Sequence, residues 1–240
     1  MTFGGGFGRA FRPVFDPGMA AAIPYTQKVL GLFGATLVGY YPLSENSGTT
    51  VYDASGNGRN GTLSGSYTLG AQGIGDGGTA INFNAGTASI FDGLRVGSPW
   101  DIFAEGSLFG WMQITDGAVW SDGQERFIAH QTTDWSGQGN RVGKSNESDA
   151  IRYQLGSSNE IRFSVGHPTA WQHIGATWSQ TSNSVVLYWN GASVNSATWV
   201  NFAGTYTQVS ISQLFKGALA HVAFLSRAAT SGEMLGAATL

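Results

Sequence analysis

The chain has 240 residues with 36 Gly, 14 Phe, 8 Trp, 8 Tyr and no Cys, and only 11% of its residues are charged. Glycine at about twice its usual ~7% share, and charge at under half the usual ~25%, exclude a coiled coil, a long-helix protein and a charge-driven disordered tail. The net charge of −3 and the lack of cysteine exclude a clustered basic face for nucleic acid, disulfides, zinc–thiolate sites and thiol nucleophiles.

Residues 1–23 read differently from the rest. Phe3, Phe7, Phe11 and Phe15 recur every four residues among glycines, with Arg9 and Arg12 between them. Glycine costs about 1 kcal/mol in a helix, so this spacing predicts an extended arm whose rings and guanidinium groups dock on a partner. The start lacks the charged opening and continuous apolar run of a secretory signal. The longest apolar stretch, Val29 to Tyr41, is interrupted by Gly31, Gly34 and Gly39 and falls short of the ~20 residues that span a bilayer. No membrane insertion is expected. An outward location is then reached by lysis, by a dedicated secretion route or within a particle.

Pro24 suits the first turn of a short helix running to about Leu32. From Ala35 the texture is β. Strands are predicted at Leu37–Tyr41, Ala80–Asn84, Ser107–Ile114, Arg126–His130, Ile151–Leu155, Ile161–Val165, Trp171–Trp178, Val185–Trp189, Val209–Phe215 and Leu219–Leu225. They are short, aromatic or β-branched, and divided by turns such as Asn190-Gly191. Val185, Leu187 and Trp189 alternate with Val186 and Tyr188. Thr230-Ser231-Gly232-Glu233 matches a capping box that opens a last short helix. Such a series of strands without intervening helices implies a sandwich or jelly roll, with one domain over 24–240 following the 1–23 arm.

Three ordered blocks carry a resemblance. The first is Tyr41-Pro42-Leu43-Ser44-Glu45-Asn46-Ser47-Gly48 with Asp53-Ala54-Ser55-Gly56-Asn57-Gly58-Arg59-Asn60-Gly61. The second is Trp171-Gln172-His173-Ile174 with Leu187-Tyr188-Trp189-Asn190-Gly191, and the third is Phe215-Lys216-Gly217-Ala218-Leu219-Ala220-His221-Val222 with Ser231-Gly232-Glu233. Residues 25–240 resemble the laminin-G-like jelly rolls of the concanavalin A-like lectin/glucanase superfamily. Tyr25-Thr26-Gln27-Lys28-Val29-Leu30 and Leu219-Ala220-His221-Val222 are similar to copies carried on tailed-phage structural proteins. The resemblance implies an all-β fold of two antiparallel sheets with one or two short helices.

Glucanases of that superfamily carry two glutamates and an aspartate on one strand face. Retaining chemistry needs two carboxyls about 5 Å apart. Here Glu147-Ser148-Asp149-Ala150-Ile151-Arg152 has Arg152 where the second glutamate belongs, so no enzyme is expected. Calcium needs six to eight oxygens. The resemblance implies acidic ligands where this chain has Asn190, Ala220 and His221, which leaves Asp53 as a weak candidate and no cofactor expected. Independently of any family, Asp53 suits an Asx turn.

His173 and His221 fall in predicted strands and read as hydrogen-bonded packing residues. Sugar recognition wants an aromatic face and planar polar groups. Trp135, with Asp134, Asn140 and Arg141 beside it in a polar loop, meets that description best, ahead of Trp100 and Trp120. The reading is a non-catalytic virion module, a head decoration or tail component. Its arm grips other virion proteins or copies of itself, and its sandwich meets cell-surface glycans. The alternatives are a free or cell-surface lectin, and a glycoside hydrolase or lyase with an unrecognised site.

Overall fold

The computed structural model describes residues 24–84, 93–97, 104–132, 139–147, 149–156, 159–198 and 208–240. Its strands in chain order are β1 (Leu37–Tyr41), β2 (Thr50–Val51), β3 (Gly61–Ser64), β4 (Tyr67–Gln72), β5 (Thr79–Asn84), β6 (Gly93–Val96), β7 (Glu105–Gln113) and β8 (Arg126–Thr132). They continue with β9 (Gly139–Lys144), β10 (Ala150–Gly156), β11 (Asn159–Ser164), β12 (Gln172–Ser179), β13 (Ser184–Trp189), β14 (Ala192–Thr198), β15 (Gln208–Ile211) and β16 (Lys216–Leu225). Helix α1 (Pro24–Phe33) precedes the strands and α2 (Ser231–Ala237) follows them.

The strands form two antiparallel sheets. The first runs β14-β13-β12-β7-β16-β5-β4, with β1 also on β16, and the second runs β11-β10-β9-β8-β15-β6-β3-β2. The protein is an all-β sandwich, the fold class read from the sequence. Its interior joins Leu108, Met112, Ile174, Trp178, Leu219 and Phe224 of the first sheet to Leu94, Ile128, Val142, Ile151, Tyr153 and Ile211 of the second. The rings of Tyr153 and Trp178 stack across the gap with centroids 6.2 Å apart. Gly106 makes room for the Trp178 indole, since a Cβ there would lie 2.1 Å from Cζ2. Trp120 is fully buried in this core and donates Nε1–H to the Pro168 carbonyl, so it is a packing residue and not a loop platform for sugar.

The alternation in β13 has a second meaning. Val185, Leu187 and Trp189 face the sandwich core. Val186 and Tyr188 face another core on the outer side of the first sheet, with Tyr25, Val29 and Phe33 of α1 and Met234 and Ala237 of α2. Tyr25, Val29 and Phe33 are spaced by one helical turn each, so α1 buries one stripe. The layers are therefore helices, first sheet and second sheet. The predicted capping box holds: Thr230 accepts from the Glu233 N–H and Glu233 accepts from the Thr230 N–H. Tyr25 donates its hydroxyl to the Ala237 carbonyl, and the Lys28 ammonium reaches the Thr239 carbonyl at 2.7 Å.

Several expectations on strands are corrected. The run expected to reach Phe215 stops at Ile211, because Ser212 and Leu214 turn the chain at φ 66° and 56°. Asn140 and Arg141, expected in a loop, belong to β9 (Gly139–Lys144) between β8 and β10, where both neighbours supply its backbone partners. β4 and β14 are exposed or half-buried throughout, and β3 and β6 have four residues each, so none carries a long apolar run. At the β13–β14 turn Asn190 and Gly191 take φ 49° and 80°, the left-handed pair of a tight two-residue hairpin. The arm residues Phe3, Phe7, Arg9, Phe11, Arg12 and Phe15 lie outside the described residues.

Candidate functional site

The outer face of the second sheet opposes the helix layer and carries charge. β10 places Ile151, Tyr153 and Leu155 inward, so Arg152 and Gln154 point outward. In β9 Val142 points inward and Arg141 outward. Antiparallel register sets His130, Arg141, Gln154 and Glu160 side by side across β8, β9, β10 and β11. Arg152 pairs in register with Arg162 in the adjacent row.

Hydrogen bonds fix these groups. Arg141 donates Nε–H and Nη2–H to Gln154 Oε1 at 2.8 and 2.6 Å. Glu125 lies against both arginines, 2.6 Å from Arg152 Nη2 and 3.7 Å from Arg141 Nη1. Glu160 takes Arg152 Nη1 at 3.5 Å and also pairs with Arg162, which in turn pairs with Glu147. A bulge after Phe127 keeps its ring on this outer side. The Arg141 and Arg152 guanidinium carbons sit 4.8 and 5.2 Å from the centroid of that ring.

The electrostatics are strained. Burial, with the Arg152 charge beside it, holds the Arg141 guanidinium below its ordinary pKa. Burial pushes Glu160 up; Arg152 opposes that shift and Glu125 adds to it. Burial also pushes His130 down to about 4, although Gln213 Oε1 accepts from its Nδ1–H. Below this face, burial would raise Asp122, but hydrogen bonds from Arg126, Gln124 and Lys144 outweigh it and leave the carboxyl low.

Of the sequence-predicted sugar residues, Arg141 lies on this face. Asn140 does not: it points between the sheets, fully buried, and donates Nδ2–H to Gln131 Oε1 at 2.9 Å. The two are neighbours on a strand and so face opposite ways, which the expected loop would not have required. Trp135 and Asp134, like Trp100, lie outside the described residues. Asp134 and Trp135 fall in sequence between Thr132 and Gly139, which pair at the end of β8 and β9 two positions from His130 and Arg141.

Asp53 is a scaffold residue. Oδ1 accepts from the N–H groups of Tyr40 and Ser55 at 3.0 and 2.9 Å, and Oδ2 from that of Arg59 at 3.0 Å. The Asx turn read from the sequence is present. Among the described residues no group of three His, Cys, Asp or Glu side chains is placed to hold a metal ion.

The two strand histidines divide. His221 makes hydrogen bonds through both ring nitrogens, to Tyr40 and Asp76. His173 departs from the expectation of hydrogen bonding. It is fully buried against the Phe109 and Trp111 rings, and neither ring nitrogen has a partner. Burial alone holds it at about 3, so it stays neutral.

Sequence reasoning overlooked Glu125, Arg152, Gln154 and Glu160 as a group. The usable signal was alternation: Arg152 and Gln154 against Ile151, Tyr153 and Leu155, then Glu160 and Arg162 about Ile161. With Asn140 and Arg141 taken as loop residues and no strand read at 139–144, no register connected them.

No family model matches the sequence, and no curated protein does. Solved structures do match. The botulinum neurotoxin serotype D binding domain aligns with a TM-score of 0.65 at 13% identity, over 83% of this chain and 50% of that one. The binding domain of botulinum neurotoxin DC in complex with SialylT gives 0.64 at 13%, over 83% and 50%. The binding domain of Paraclostridial Mosquitocidal Protein 1 gives 0.60 at 15%, over 83% and 51%. The likeness is one of fold, and this chain spans about half the length of each of those structures.

Proposed function

We propose that the chain is a non-catalytic binding module whose second sheet recognises a saccharide, displayed on a virion or another extracellular surface through residues 1–23. The observation that carries the reading is the cross-strand group of planar polar side chains, Arg141, Gln154, Arg152 and Glu160 on the outer strand faces, with Glu125 just before β8 against both arginines. Saccharide hydroxyls are recognised by such fixed donors and acceptors, and rigid strands hold them better than loops. The likeness to receptor-binding domains, one of them in complex with SialylT, supports the same reading. Glu125 and Glu160 are each engaged by an arginine, an arrangement for recognition rather than for a free acid and nucleophile. The laminin-G-like identity and the phage setting rest on the sequence blocks and the arm. Trp135, in the segment between β8 and β9, is the residue proposed to stack on the sugar ring.

Glycan-array screening of the full chain, Arg141→Ala and Trp135→Ala tests the face. Binding lost in both variants, with melting temperature kept, supports it; unchanged binding in both sinks it. A chain lacking residues 1–23 should keep the glycan binding and fail to join particles. Normal incorporation into particles would remove the arm from the proposal and favour a free lectin.

A further inference from the structure

Arg152 is the least satisfied cation on this face. Only 3% of its side chain is exposed. Its Nε–H has no hydrogen-bond partner, and Nη2, although 2.6 Å from Glu125 Oε1, lies off the hydrogen-bond direction. A buried guanidinium with two unbonded nitrogens carries an unmet demand for acceptor oxygens. Glu125 is the acid nearest it. That residue lies just before β8, is 30% exposed, and is shared between Arg152 and a distant Arg141 Nη1 at 3.7 Å. Glu160, the other acid, is tied to Arg162 on the next strand and reaches Arg152 only at 3.5 Å.

We infer that Arg152 and Arg141, paired over Phe127, form a fork for the carboxylate of an acidic sugar, and that Glu125 occupies the place of that carboxylate until ligand displaces it. The inference rests on the saccharide-binding reading above and specifies its ligand class. Arginine suits the task because its planar donors meet a carboxylate two at a time, which lysine cannot do. Gln154 holds Arg141 from below through both of its bonded nitrogens, so Arg141 Nη1 remains directed toward Glu125. An incoming carboxylate replaces one anion by another, so no buried charge is left unpaired when Glu125 swings out toward solvent. Phe127 lies against both guanidinium groups, its ring centroid 4.8 and 5.2 Å from their central carbons, and gives them a shared apolar floor.

The test is calorimetric titration of the full chain with N-acetylneuraminic acid, 3′-sialyllactose and a galacturonic acid oligomer, against lactose and a galactose oligomer. The carboxylated sugars should bind and the neutral ones should not. Glu125→Gln should bind the acidic sugars roughly fivefold more tightly, the factor that loss of one competing exposed ion pair provides. Arg152→Gln should abolish binding. Should that variant fail to fold, Arg141→Lys, which keeps the charge and loses the fork, should weaken binding about tenfold or more. Equal binding of acidic and neutral sugars, or no gain in Glu125→Gln, would overturn the inference and leave the saccharide reading in place. No binding to either set, with none on the glycan array, would overturn both.

Discussion

His221 and Asp76 face each other beneath α1, with Nε2 of the imidazole 3.0 Å from Oδ2 of the carboxylate. On its other side Nδ1 lies 2.7 Å from the Tyr40 hydroxyl. Burial holds His221 below its ordinary pKa despite Asp76, so the ring is neutral. A neutral ring then donates Nε2–H to Asp76 and accepts the Tyr40 proton at Nδ1. The site lies where β16 bulges between Ala220 and Ala223, passing from β5 to β1 as its edge partner. Asp76→Ala should therefore cost about 2 kcal/mol, since it leaves a buried N–H without an acceptor. Tyr40→Phe should cost about 1 kcal/mol. Urea denaturation at pH 7 measures both, and a loss in Asp76→Ala below that of Tyr40→Phe would contradict the assignment.

The buried histidines set an acid limit. His130, His173 and His221 are all held below 6.5, the first two at about 4 and about 3. The unfolded chain takes up these protons first, so the stability is complete above pH 6.5 and declines as pH falls toward the folded values. Each ring contributes a slope of up to about 1.4 kcal/mol per pH unit in that window. Urea midpoints should drop steadily between pH 6.5 and 4. A flat profile there would show that the rings are solvated.

His173 offers a stabilising substitution. Its nitrogens satisfy nothing, so His173→Leu removes a desolvation penalty and should be neutral or stabilising by about 1 kcal/mol at pH 7. The acid slope should shrink by one ring's share. Destabilisation by more than about 1 kcal/mol, with the slope unchanged, would mean that the imidazole has a partner.

Gly106→Ala places a methyl group inside the Trp178 ring, which is itself stacked on Tyr153. Overpacking of that kind costs about 1–3 kcal/mol. Near-ultraviolet circular dichroism should report the displaced indole along with the lower melting temperature. An unchanged spectrum would mean that the ring is not seated there.

Asp53 gives a metal-free prediction. Three backbone N–H groups already occupy its oxygens, so Asp53→Ala should cost about 3 kcal/mol by freeing one on buried β1 and two in the half-buried loop. Calcium added to the full chain should leave the melting temperature unchanged. A rise that disappears in Asp53→Asn would assign the ion to this loop.

The fold was legible where one strand carried its own signal. Leu37–Tyr41 and Val185–Trp189 have the apolar density that burial on one or both faces requires, and Thr230 with Glu233 encodes its cap locally. The site was less legible because it is a property of register. Arg141 says nothing of Gln154 until β9 exists, and β9 has one apolar inward residue, Val142, among glycines and polar groups. The second core was hidden for a related reason. Val186 and Tyr188 alternate with the residues facing the sandwich interior, and what covers them comes from distant helices at residues 24–33 and 231–237.

Lys28 and Tyr25 fasten the beginning of α1 to Thr239 and Ala237, so residues 24 and 239 are strapped together on the helix layer. A support attached next to residue 239 would lie on the helix side, opposite the second sheet. Copies planted side by side in that posture would all turn the second sheet away from the support, and a ligand bridging neighbouring copies would gain in avidity from their spacing.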